Sequence, residues 1–142
     1  MPSSTSLSNN LSTDGNSDIF NQQPTVIQII EEWKCHHDST EELSHSLARL
    51  ISKPLAVDNT FYDIVLQLGL SEEDIKIIIS DNRNSVVEQA YETLNKWKQI
   101  KASKATVFSI LDVLLKLNLY DIANTFCDLY DRDMLIRRLN ET

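Results

Sequence analysis

Phe61-Tyr62-Asp63-Ile64-Val65-Leu66-Gln67-Leu68-Gly69-Leu70-Ser71-Glu72-Glu73-Asp74-Ile75 contains one helix end and one helix start in close succession. Phe61, Ile64, Val65 and Leu68 recur at the three- and four-residue spacing that lines a single helical face. Gly69 falls where a helix ends on a left-handed residue, a conformation that costs glycine little because it lacks a Cβ. Ser71 then offers its hydroxyl oxygen to the first free amides of a second helix, and Asp74 places negative charge in that helix's first turn. Two amphipathic helices joined by so short a link must pack as neighbours.

The same punctuation continues toward the C-terminus. Ile75, Ile78 and Ile79 make a short buried face, and 81–84 reads as a loop. Ser85 and Glu88 have capping-box spacing, and Val87, Ala90, Tyr91, Leu94 and Trp97 follow at helical intervals. A basic connector is expected over 98–103. Val107, Ile110, Leu111, Leu114 and Leu115 mark the next helix. A last one over about 120–130 turns Ile122, Ala123, Phe126 and Tyr130 inward. Residues 131–142, with Met134, Leu135 and Leu139, read as a further turn or frayed extension.

Toward the N-terminus, Ser39 and Glu42 open a helix whose face is Leu43, Leu47, Leu50 and Ile51, and Pro54 stops it. Before it, Thr25 and Gln28 form a further capping box, and Val26, Ile27, Ile30 and Trp33 predict a helix ending near His37. Residues 1–23 are rich in Ser, Thr and Asn, which bury little and compete for backbone hydrogen bonds, so a disordered tail is expected there. The expected organisation is a tail over 1–23, an extra amphipathic helix over 24–38, a domain over 40–130 and an extension over 131–142.

Composition supports an all-α chain. Of 142 residues 42% are hydrophobic, enough for a packed core, while two Gly and three Pro are too few for the turns of a β-sandwich. With 21 acidic against 13 basic side chains the net charge is -8, which argues against binding the phosphate backbone of nucleic acids. No apolar run approaches the roughly 18 residues of a membrane span, and the N-terminus has no basic start or apolar stretch of a secretory signal. Two cysteines make no disulfide framework. A cytoplasmic protein with free thiols is expected.

Motifs of chemistry are missing from the chain. Two Gly rule out a phosphate-cradling loop. Cys35-His36-His37, with His45 nearby, invites a metal reading, but adjacent helical side chains point about 100° apart, and zinc motifs space their ligands. Cys127 sits on an apolar helical face without a neighbouring base, so it reads as a core thiol. No enzyme, cofactor or metal is expected.

Three stretches taken together resemble the death domain. Phe61-x-x-Ile64-Val65-x-x-Leu68-Gly69-Leu70-Ser71-x-x-Asp74-Ile75 is similar to the run that joins that domain's second and third helices. Glu88-Gln89-Ala90-Tyr91-x-x-Leu94-x-x-Trp97 resembles its fourth. Ala105-Thr106-Val107-x-x-Ile110-x-x-Val113-Leu114, then Leu119-x-Asp121-Ile122-Ala123, resembles the fifth and sixth. The match spans 58–130, about half the chain. Phe61 stands where the family usually has Trp, the first helix within 40–52 matches poorly, and the helix at 25–37 lies outside the usual unit. Arg132-Asp133-Met134-Leu135 has the wrong order for the motif of the related death effector fold.

The resemblance implies a six-helix antiparallel Greek-key bundle, here with an extra N-terminal helix. It implies no catalysis, and homotypic binding to other death-domain proteins, receptors or adaptors, with self-association as a further option. The overall plan is similar to small intracellular adaptors of apoptotic and innate-immune signalling. A scaffold or decoy that limits assemblies without recruiting an effector is the alternative.

Charge segregation names the interaction candidates. Asp58, Asp63, Glu72, Glu73, Asp74 and Asp81 face a single Lys76 between 58 and 82, whereas Lys96, Lys98, Lys101, Lys104 and Lys116 face a single Asp112 between 93 and 116. If the two groups occupy different faces, acidic-on-basic contacts propagate from copy to copy. Asp63, Glu72, Glu73 and Asp74 are the acidic candidates, and Lys96, Lys98, Lys101 and Lys104 the basic ones. Ordinary solvated charge is the competing reading.

Overall fold

A computed structural model describes residues 25–141; Thr142 and residues 1–24, including the expected tail, lie outside the described residues. Among the described residues seven α-helices follow one another: α1 (Val26–Cys35), α2 (His45–Ala56), α3 (Thr60–Gln67), α4 (Glu72–Asp81), α5 (Val86–Lys101), α6 (Val107–Lys116) and α7 (Tyr120–Glu141). Two 3-10 turns, Val57–Asn59 and Ala102–Lys104, link α2 to α3 and α5 to α6. There are no strands among these residues, and the only sheet-like pairing is an isolated antiparallel bridge between Glu42 and Thr106.

Several ends form as local chemistry dictates. Thr25 and Gln28 make both halves of the capping box: the Thr25 amide donates to Gln28 Oε1 at 2.8 Å, and the Gln28 amide to Thr25 Oγ1 at 3.2 Å. The hydroxyls of Ser71 and Ser85 each accept from the third helical amide, of Asp74 and Glu88, at 3.1 Å. Gly69 (φ 104°) ends α3, where the Leu70 amide reaches Val65 O and the Gly69 amide reaches Leu66 O, each at 3.0 Å. Asn118 (φ 61°) ends α6 with the same paired bonds. Between α2 and α3, Asp58 and Asn59 both take left-handed φ, 53° and 56°, which short polar side chains tolerate best.

α2 is the central helix, packed on α5, α7 and α3. It contributes Leu47, Ala48, Ile51 and Leu55 to a core with Phe61, Ile64 and Val65 of α3, Leu94 and Trp97 of α5, Ile110, Leu111 and Leu114 of α6, and Phe126 of α7. Burying each large aliphatic side chain there is worth about 1.5–3 kcal/mol relative to exposure.

Four expected boundaries are corrected. Ser39 does not open α2; Ser44 does, accepting from the Leu47 amide at 3.1 Å. The chain before it is drawn out straight, because the Val107 amide donates to Glu41 O and the Leu43 amide to Ala105 O, both at 2.9 Å. Leu43 therefore enters the core from an extended segment. Pro54 does not stop α2 but lies within its last turn, where its missing N–H removes a single helical hydrogen bond. The basic connector is helical to Lys101. Residues 131–141 continue α7 without a break. Of the faces foreseen, Val26, Trp33, Leu50, Ile78, Ile79, Val87, Tyr91, Leu115 and Ile122 are only half-buried, and Ile27 is exposed.

Candidate protein-interaction surface

Asp63 is exposed in the first turn of α3. Glu72, Glu73 and Asp74 fill the first turn of α4 above the Ser71 cap, Asp74 half-buried and the other two exposed. Negative charge is favourable there because the helix dipole is positive at that end. Lys96 and Lys98 are half-buried on α5, and Lys101 and Lys104 exposed at its end and in the following turn. Lys98 and Lys101, in its last turn, complement the negative C-terminal end of α5. Burial pushes the Lys98 ammonium below its usual pKa, opposed by the nearby charge of Glu42.

The two charge groups are neighbours. α5 packs against both α3 and α4, and the Lys101 ammonium lies 3.4 Å from where a Cβ on Gly69 would stand. The basic end of α5 therefore flanks the α3–α4 turn, so acidic and basic surfaces meet side by side there rather than at opposite poles. None of the eight residues joins an ion pair among the described residues. Apart from Lys98, on which the Glu42 charge acts, their charge is left for solvent or a partner. In the same region Ala102 takes φ 52° and ψ -122°, a left-handed backbone that alanine rarely adopts.

The sequence reasoning missed a second surface cluster. Arg49 of α2 pairs with Glu88 of α5 and lays its guanidinium 3.5 Å from the Tyr91 ring centroid. The Tyr91 hydroxyl in turn lies 3.5 Å from His45 Nδ1. Arg49 and Glu88 are 39 residues apart, so no local pattern could have signalled the pair.

α1 packs on α7, with Ile30 completely buried and Trp33 partly buried against the core. Lys34 forms an ion pair with Asp112 at 2.8 Å and lies over the Phe108 ring. His37 stacks on Trp33 with centroids 3.7 Å apart, donates from Nδ1 to the Trp33 carbonyl at 2.6 Å, and approaches Asp131 through Nε2 at 3.4 Å. His37 is thus committed to packing. Among the described residues no group of three His, Cys, Asp or Glu could hold a metal ion. Cys35 is exposed, and burial, then the charges of Asp131 and Asp128, push the buried Cys127 thiol up to about 12.

A helical bundle with eight segregated surface charges outside any internal ion pair has the build of a protein-interaction module. The death domain family model matches residues 44–128. That is more than half of the 142 residues, and the chain belongs to the death-domain family. Helices α2–α7 are accordingly the six-helix antiparallel Greek-key bundle of that fold. No curated protein and no solved structure matches the chain. The family is a non-catalytic module that binds other death-fold domains in signalling. Among the described residues no helix is long and apolar enough to cross a membrane.

Proposed function

We propose that this chain is a non-enzymatic cytoplasmic adaptor of apoptotic or innate-immune signalling, acting through contacts between its death domain and those of receptors or other adaptors. The observation that carries the reading is the family match over 44–128 on a bundle whose Asp63, Glu72, Glu73 and Asp74, and Lys96, Lys98, Lys101 and Lys104, have no internal ion-pair partners. Acidic and basic surfaces side by side suit a partner bearing the inverse arrangement, and charge pairing of this kind sets encounter rate and partner choice more than affinity.

The test is Glu72→Lys with Glu73→Lys. Partner capture by pull-down should be lost while the helical circular dichroism signal survives; unchanged capture rules out this acidic surface. The alternative is a scaffold or decoy that limits death-domain assemblies. Size-exclusion with a captured partner separates the two, since an adaptor enlarges the complex and a decoy limits it.

A further inference from the structure

The segments outside the family unit build a cleft of about 510 Å³ between the α1–α2 link and the second half of α7. Every residue lining it falls within 36–41 or 130–138, outside the matched 44–128. Its size lies in the range of ligand-binding clefts.

Three carboxylates on the walls are held in place by neighbours. Asp131 accepts from the Trp33 indole at 3.2 Å, Glu41 accepts from the Tyr130 hydroxyl, and Asp38 accepts from the Thr40 amide and hydroxyl at 2.8 Å and 2.7 Å. A carboxylate has room for about four hydrogen bonds, so each retains free capacity. Arg138 is the one guanidinium on the lining, leaving the cleft acidic. Met134 and Leu135 supply an aliphatic side to the same cleft, Leu135 being 58% exposed on a stretch of helix that also exposes Ile136 and Leu139. Residues 1–24 contain no Lys or Arg, so the chain's own N-terminal segment lacks the complementary charge.

We propose that this cleft is a second docking site, distinct from the homotypic surfaces, for an extended segment of another protein in which a lysine or arginine adjoins an aliphatic residue. The cation engages Asp38, Glu41 and Asp131 while the aliphatic side chain covers Met134 and Leu135. A death domain held in an assembly would then carry an unrelated protein at the same time.

Fluorescence anisotropy on the full chain tests this with a labelled peptide of alternating leucine and lysine, about eight residues long, against its leucine–glutamate counterpart. The leucine–lysine peptide should bind, more weakly as salt rises. Leu135→Ser and Asp38→Lys, both at exposed positions, should each weaken it by about tenfold, or roughly 1.4 kcal/mol, with unchanged circular dichroism. Glu72→Lys with Glu73→Lys should leave peptide binding intact, so failure of this site and failure of the homotypic surface are read separately. No binding, equal binding of the two peptides, or indifference to Leu135→Ser overturns the proposal. So does sedimentation showing that the free chain dimerises through Leu135, which would assign the cleft to a second copy.

Discussion

Trp33 in α1 donates its indole N–H to the carboxylate of Asp131 in α7, at 3.2 Å and 3.3 Å from the two oxygens, across 98 residues of chain. The same ring meets Tyr130 edge-on and stacks on His37. An isolated helix as short as α1 is unstable in water, so these contacts, with buried Ile30, are what keep it folded.

Trp33 fluorescence should accordingly be partly shielded from a soluble quencher in the isolated protein. Trp33→Ala should lower stability by about 2–3 kcal/mol, below the loss at a fully buried site because the ring is part-exposed. Trp33→Phe should cost about 1 kcal/mol through the lost N–H bond. Urea unfolding with an unchanged m value reads both.

Two backbone positions should respond in opposite directions. Gly69→Ala places a Cβ on a residue at φ 104°, beside the Lys101 ammonium, and should destabilise by about 1–2 kcal/mol. Ala102→Gly relieves the backbone at φ 52° and ψ -122°, and should stabilise by about 0.5–1 kcal/mol despite the added freedom of the unfolded chain. Thermal unfolding midpoints should move down for the first and up for the second.

The second half of α7 is tied to the start of α2 through Asp133. This buried carboxylate accepts from Ser46 Oγ at 2.8 Å and from Arg137 Nη2 at 2.7 Å. Arg137→Met keeps much of the side-chain length but leaves Asp133 with the serine hydroxyls alone. A loss of about 1–3 kcal/mol is expected in chemical denaturation, together with faster hydrogen exchange of amides beyond residue 131.

Alkaline pH should destabilise the protein. Burial comes first among the causes that raise the folded pKa of both Cys127 and Tyr130, followed for Tyr130 by its bond to Glu41. For a group whose folded pKa is raised, the contribution is intact below the unfolded pKa and is lost as pH climbs toward the folded value. Unfolded values near 9 for Cys and 10 for Tyr put the decline above about pH 9. Stability measured from pH 7 to 11 should fall less steeply in Cys127→Ala with Tyr130→Phe than in the parent chain.

Thiol accessibility gives an independent check. Cys35 is exposed and Cys127 buried. One cysteine should react promptly with a thiol reagent at pH 8 in the native protein, and both in denaturant.

Much of this molecule was legible because its signals are local. A serine hydroxyl reaching an amide three residues on, a left-handed residue ending a helix, and apolar spacing of three and four are energies exchanged within one turn of chain. Ser71, Ser85, Thr25 and Gly69 act where the sequence places them. The starts of α1, α4 and α5, the end of α3 and the family resemblance followed from such signals. Ser39 shows where they fail. With Glu42 three residues on it has stronger local credentials than Ser44, which has Leu47 there, and only the pairing of Glu41 and Leu43 with Val107 and Ala105, more than sixty residues on, selects Ser44. Residues 131–141 carry no local stop or start, and their helix is held by Asp133 contacts to α2.

The candidate surface divides the same way. Sequence alone showed that acidic side chains gather at the start of α4 and that lysines gather over 96–104; the structure makes that stretch, up to Lys101, the end of α5, where the helix dipole favours positive charge. That Lys101 rests beside Gly69, that Arg49 finds Glu88 and Tyr91, and that segments on both flanks of the family unit enclose one cleft were decided only by the tertiary structure. Those relationships join residues brought together by burial of a shared core, and a non-directional force of that kind leaves no mark on the spacing of the side chains it places on the surface.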